Sequence, residues 1–466
     1  MVDADETDGL WWSSARELAR QLSERRVSSV EVLEAHLERI EQHNPALNAV
    51  VSLEPDRARE RTEAADAALA RGEVWGPLHG VPMTLKDAHD VAGMRTTVGT
   101  EALDRVPTED GVVAARLRGA GAIIVGHTNV PPWLADYQSA NPIFGRSANP
   151  WDLERTPGGS SGGAAAALAA GLTPLEVGSD LAGSCRLPPH FCGVYGLKTT
   201  EHRVPDTGFF RLPEGMPRSV RILGGTGPLA RDLDDLALAL TIIAGPDGRD
   251  GEIPPVPLVA ERGRPVEGLR LAVAPTLPGA TVARDIQQQI ERVSDGATNA
   301  GAAVEARLPE IDWEGLFQLY GDLVRTVTGL FDPTAELPDE HRTLAWFLSA
   351  LDRRDEFVSA WEAFFSDIDG LIVPPAMTTA FTHRAPGASL EVDGSEAEYG
   401  GNGQTLVIFN LTGQPGLVAP AGHDGDGLPI GIQIVGPRWS EMRLLAMARA
   451  LEEAGILPGF RPPPGY

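Results

Sequence analysis

Lysine is almost missing from this chain. Of 39 basic residues only Lys86 and Lys198 are lysine; the rest are arginine. Arginine does not give up its proton inside a protein, whereas a desolvated lysine does and can then act as a base. Chemistry that needs an uncharged amine is therefore confined to two positions. Cysteine is as scarce, with Cys185 and Cys192 alone. Two so close together exclude a disulfide framework or a cysteine zinc site and read as small buried hydrophobes. No stretch reaches the roughly 18 uncharged apolar residues that a bilayer-spanning helix requires. Positive charge is in deficit: 65 acidic residues give a formal net charge of −26. That balance excludes nucleic acid and anionic membranes as partners. The opening residues, MVDADETDG, are acidic, the reverse of a signal peptide, so a cytoplasmic address is expected. The ten histidines form neither a Ser-His-Asp arrangement nor a metal-ligand spacing, so no metal and no cofactor are expected.

What is present alternates between helix and strand. Residues 8–45 read as two amphipathic helices, the second opened by a capping box of Ser28 and Glu31. Residues 55–71 form a further helix closed by Gly72. These helices serve as scaffold or as a face for pairing into a homodimer. Val81–Leu85 and Ala122–Gly126 read as strands, and Val112–Gly119 as a helix between them. Residues 135–155 and 376–402 read as loops, 245–266 as a connector, Leu229–Ala244 as a helix and 310–365 as helical and rich in aromatics, Phe331 among them. Strands follow at Leu269–Ala274, Leu371–Pro375, Leu417–Pro420 and Ile430–Val435, with helices at 282–301 and 440–454. The alternation argues for an α/β architecture. One domain is expected, in four segments: 1–75 N-terminal helices, 76–245 a motif-bearing core, 246–405 a variable helical and loop region, 406–466 strands and a final helix.

The densest signal lies in residues 156–198. Gly158-Gly159-Ser160-Ser161-Gly162-Gly163 precedes the alanine-rich run Ala164–Ala170, and Ser179-Asp180-Leu181-Ala182-Gly183-Ser184 follows it. Ser184 lies 24 positions after Ser160. A serine in one glycine-rich turn is ordinarily a turn former. The first turn is no phosphate-binding loop, because no Lys-Ser or Lys-Thr follows its last glycine.

With Gly80-Val81-Pro82-Met83-Thr84-Leu85-Lys86-Asp87 upstream, and Phe409-Asn410-Leu411-Thr412-Gly413 and Gly427-Leu428-Pro429-Ile430-Gly431 downstream, the pattern resembles the amidase signature family of serine hydrolases. The resemblance covers most of the chain and is weakest between about 245 and 400. It implies one large α/β domain with a mixed central sheet between helical layers. It implies Ser184 as nucleophile, Ser160 as proton relay behind a cis Gly159–Ser160 peptide, and Lys86 as the base. The backbone N–H groups of Leu181, Ala182, Gly183 and Ser184 would form the oxyanion hole. Ser161, Asp180 and Arg186 would support them from behind. Lys198 reads as structural and Cys185 as no nucleophile.

The chain departs from the family pattern at Ala182, where glycine is usual, and at Ser179, where threonine is common. After Lys198 it runs Thr199-Thr200-Glu201-His202-Arg203-Val204 in place of the usual proline and Tyr-Gly-Arg-Val. That difference and the acidic balance weigh against a glutaminase subunit of a tRNA-dependent amidotransferase. The expected activity is hydrolysis of small aryl or aliphatic amides. Carbamate (urethane) or ester hydrolysis by the same chemistry is the alternative; a more distant one is a non-catalytic binding subunit. Trp133, Tyr137, Gln138, Phe209, Phe210 and Met216 are the candidate substrate-pocket residues, with Phe209–Met216 read as a lid.

Overall fold

Ser28 closes the start of its helix as the spacing predicts. Its side chain accepts from the Glu31 N–H while Glu31 reaches back to the Ser28 N–H, and the helix runs Ser29–Leu47. The structure, a computed structural model, describes residues 9–212, 214, 216, 218–261, 263–329 and 336–466. Phe331, and part of the Phe209–Met216 segment, lie outside the described residues.

Strands β1 (Val50–Leu53), β2 (Pro82–Lys86) and β3 (Ile123–Thr128) form one small sheet in the order β1-β3-β2. Strands β4 (Ala140–Asn141) and β5 (Gly145–Arg146) make a short ladder inside the segment expected to be loop. Next come β6 (Leu175–Asp180), β7 (Tyr195–Lys198), β8 (Gly225–Ala230), β9 (Arg270–Val273), β10 (Ala303–Glu305) and β11 (Gly370–Val373). A hairpin of β12 (Leu390–Val392) and β13 (Ser395–Ala397) interrupts the second expected loop. Strands β14 (Gly416–His423) and β15 (Pro429–Val435) finish the set. The large sheet has the order β10-β9-β11-β15-β14-β7-β8-β6. It is mixed: β10, β9 and β11 run parallel, and every later pairing is antiparallel.

The period of two along each strand sends alternate side chains to opposite faces. Leu271, Val273, Ile372, Ile432 and Ile434 pack with the helices Leu233–Ile243, Arg284–Asn299 and Glu441–Glu453 on one face. Ala272, Leu371, Val373 and Val435 pack with the helices Trp313–Thr328, Leu344–Phe364 and Gln404–Leu411 on the other. Two covered faces explain why the strands read as near-continuous apolar runs. The result is one α/β domain with a mixed sheet between helical layers.

One further expectation needs correction. Leu229 and Ala230 end β8 rather than start a helix; the helix begins at Leu233 because Asp232 accepts from the Asp234 and Asp235 N–H groups. The aromatic region carries the helices Trp313–Thr328 and Leu344–Phe364 among its described residues. Among the described residues no helix is long and apolar enough to cross a membrane.

Candidate active site

The site forms where three elements end. Lys86 is the last residue of β2, a strand buried throughout. Ser160 and Ser161 lead into the helix Gly162–Ala169, whose residues are all buried. Gly163 must be glycine there, since a Cβ would fall 2.3 Å from the Asn129 N. Ser184 lies in the turn between β6 and the helix Leu187–Cys192. The three residues meet in a row. Lys86 Nζ is 2.7 Å from Ser160 Oγ, and Ser160 Oγ is 2.9 Å from Ser184 Oγ. The Gly159–Ser160 peptide is cis, and the Ser160 N–H donates to Ser184 Oγ at 2.9 Å. Ser139 buckles this loop: its Oγ donates to Gly158 O at 3.0 Å and accepts from the Gly162 N–H at 2.9 Å.

The amine sits in dry surroundings. Lys86 is fully buried, and burial pulls its pKa down to about 8, against small opposing pulls from Cys185, Asp180 and Glu176. Its further contacts are neutral, Ser179 Oγ at 3.0 Å and Ser179 O at 3.4 Å. Glu176, also buried, is pushed up to about 8 by burial, so it is largely protonated at neutral pH and gives Lys86 little anionic support. It accepts from Thr84 Oγ1 at 2.5 Å. Lys198 is drawn down to about 8 by its own burial and then by Arg186, but its Nζ donates to Gln414 O and Thr199 O and, among the described residues, to no serine.

Asp180 fixes the second turn. Its carboxylate accepts from the Gly183 N–H at 2.8 Å, the Cys185 N–H at 3.0 Å, Arg186 Nη2 at 2.8 Å and Nε at 2.9 Å, and Asn410 Nδ2 at 2.9 Å. Burial alone would raise its pKa, yet the Arg186 charge and these donors outweigh it and hold the carboxyl well below the usual range. Arg186 is fully buried and spends its remaining donors on Leu406 O, Gln433 Oε1 and Asn410 Oδ1. The Gly183 N–H is thus engaged by Asp180. The N–H groups of Leu181, Ala182 and Ser184 donate to nothing among the described residues. Gly183 holds φ +110°, and a Cβ there would meet Leu406 Cδ1 at 2.2 Å. Tyr320 pins the turn from the other side, its hydroxyl donating to Leu181 O at 3.0 Å.

Ser160 and Ser184 open into a cavity of about 890 Å³. Trp133, Tyr137, Phe209, Phe210 and Met216 line it, together with Leu181, Tyr320 and Val324. Gln138 does not line it. Its amide instead clips two loops, donating to Arg384 O and Tyr399 OH and accepting from the Arg384 N–H. Ser161 Oγ is buried and hydrogen-bonds to nothing among the described residues, so it stands outside the row. Burial pushes both thiols up, which removes Cys185 as a nucleophile at neutral pH. His190 is a core histidine, donated to by the Gly431 N–H and held to Thr378 O. Sequence reasoning missed Ser139, whose neighbourhood carries no motif, the bond of Tyr320 to Leu181 O, and the direct contact of Ser179, which sits beside Asp180 inside a motif.

Comparison with known proteins agrees with this geometry. The model of the Amidase family matches residues 31–314 and 321–445. A Mycobacterium tuberculosis protein named AmiB2 is 36% identical over 479 residues, covering 97% of each chain. The indoleacetamide hydrolase of Bradyrhizobium diazoefficiens is 32% identical over 470 residues, covering 96% of this chain and 88% of its own. One glutamyl-tRNA(Gln) amidotransferase subunit, from Heliobacterium modesticaldum, is 31% identical over 487 residues, covering 96% of this chain and 97% of its own. Among solved structures, a bacterial aryl acylamidase of the amidase signature family superposes with a TM-score of 0.83 at 27% identity, covering 96% of this chain and 97% of that one.

Proposed function

This chain belongs to the amidase signature family and is a hydrolase of carbon–nitrogen bonds other than peptide bonds; from that premise we propose that it cleaves small aryl or aliphatic amides through an acyl-enzyme on Ser184. The observation that carries the reading is the unbroken row Lys86 Nζ, Ser160 Oγ, Ser184 Oγ, at 2.7 and 2.9 Å, ending in an aromatic-walled cavity.

Uncharged Lys86 accepts the Ser160 hydroxyl proton as Ser160 Oγ accepts that of Ser184. Both hydroxyls rotate freely enough to reverse donor and acceptor along the row. Ser184 Oγ then attacks the amide carbon, forming a C–O bond. The carbonyl oxygen takes up the negative charge and turns to the N–H groups of Leu181, Ala182 and Ser184. One such preorganised donor is worth roughly 3 kcal/mol in the transition state. The C–N bond breaks as Ser160 passes a proton to the leaving amine and is resupplied by Lys86. Water then attacks the ester carbon and gives a proton to the row; the bond from that carbon to Ser184 Oγ breaks, Ser184 takes the proton back through Ser160, and the carboxylic acid leaves.

The walls support the substrate class. Trp133, Tyr137, Phe209 and Phe210 offer flat apolar surface, which suits an aryl or alkyl group. A net charge of −26 favours a free-standing hydrolase over a part of a tRNA-bound assembly. The test is turnover of a panel of anilides, a p-nitrophenyl carbamate and glutamine by the purified protein, with Ser184→Ala as control. Anilide cleavage lost in Ser184→Ala is the expected result. Cleavage of the carbamate alone would move the reading to a urethane hydrolase. Activity kept in Ser184→Ala would end the nucleophile assignment.

A further inference from the structure

A second hollow, of about 260 Å³, lies where the helix Pro55–Ala70 meets the helix Val112–Gly119. Its floor is apolar and buried: Ala58, Met94, Ile123 and Ile124. Arg57, Arg61 and Arg118 stand on its walls. Arg57 and Arg61 are four residues apart, on one face of their helix. Arg118 comes from the other helix and is ion-paired to Asp110 at 2.7 Å. Arg57 donates to the carbonyl of Ala92 at 3.0 Å, and Arg61 lies over the Trp75 ring at 3.7 Å. Among the described residues neither has a carboxylate partner, although this chain carries 65 acidic residues. Glu54, the one carboxylate on the wall, forms no ion pair with any of the three. Partial burial and then the like charge of Arg118 disfavour the charged form of Arg61. Of the three, Arg118 alone has a carboxylate partner among the described residues, so the positive charge of Arg57 and Arg61 is left for a bound anion to offset.

We propose that this hollow binds a small organic anion, a carboxylate whose oxygens take the guanidinium forks and whose apolar body rests on Met94 and Ile124. Planar guanidinium groups match carboxylate oxygens two by two, and a greasy floor distinguishes an organic acid from an inorganic anion. The site is separate from the catalytic row, and the proposal does not depend on the reaction read there.

Benzoate is the probe, titrated calorimetrically into the full chain at low salt. The variants are Arg57→Gln with Arg61→Gln, and Phe209→Ala. Arg118 is left alone because its partner Asp110 lies in the wall of the catalytic cavity. Phe209→Ala reports benzoate that enters that cavity instead. The expected result is at least a tenfold loss of benzoate affinity in the double arginine variant and none in Phe209→Ala. Inorganic phosphate should bind wild type more weakly than benzoate, and salt should weaken both. Arg57 and Arg61 are exposed, so the double variant should melt with wild type; if it does not fold, Arg61→Lys, which keeps the charge but not the fork, should still weaken binding. No benzoate binding to wild type, unchanged affinity in the arginine variants, a loss confined to Phe209→Ala, or phosphate binding as tight as benzoate would each overturn the proposal.

Discussion

At Lys86 the physics of one side chain governs how the protein should respond to pH. Burial lowers its pKa from 10.5 to about 8, so the uncharged amine grows as pH rises and falls tenfold for each unit below that value. For amide turnover, kcat/KM should therefore climb with pH and level off above about 8. A flat profile between about pH 6 and 9 would remove Lys86 as the base. Lys86→Arg sharpens the test. Arginine keeps the charge but has no accessible neutral form, so activity should drop by about 1,000-fold across the whole pH range. An arginine variant with near wild-type kcat would mean that the amine only orients Ser160. This residue was legible in the sequence for two reasons, its rarity and its motif. The raised pKa of Glu176 was not legible, because it depends on how tightly β2 and β6 are buried together.

At the level of elements, the turn after β6 is held by a buried ion pair that reaches across the fold. Arg186 ties Asp180 to Asn410 and Gln433, which lie more than 200 residues later in the chain. Removing one partner of such a pair strands the other charge, at a cost of about 3–5 kcal/mol. Arg186→Ala should lower the urea midpoint accordingly; a midpoint equal to wild type would show that Asp180 is satisfied without it. The cavity wall makes a different prediction. Trp133 and Phe210 hold left-handed backbone at φ 57° and 43°, and Phe209 is tied to His89 by a β-bridge and ring contact at 5.0 Å. Phe209 and Met216 line the cavity and are not part of the buried core. Phe209→Ala and Met216→Ala should raise KM for an aryl anilide several-fold while leaving the melting temperature nearly unchanged. Unaltered KM in both would remove this segment from substrate binding. The two serine turns and the helix between them could be read from residue order. Tyr320, which also grips the turn, could not, because nothing in its helix marks it apart from other buried aromatics.

For the molecule as a whole, charge is the dominant surface property. A net charge of −26 makes the folded chain repel itself, and salt screens that repulsion. The melting temperature should rise by a few degrees between roughly 0.05 and 1 M sodium chloride, where the screening length falls to about 3 Å. A fall would show that surface ion pairs such as Arg20–Glu24 and Arg59–Glu34 outweigh the excess of acid.

The sequence by itself determined the α/β character, through strand and helix periods, and the family, through two glycine-rich turns and a surviving lysine. Those signals are local, and local propensity and residue chemistry are all that order along a chain can carry. Only the tertiary structure decided that the Gly183 N–H donates to Asp180. It also turned Gln138 away to clip two loops and brought three arginines from two helices over one apolar floor. Each of these depends on distance between segments far apart in the chain, and that distance is set by packing of the whole core.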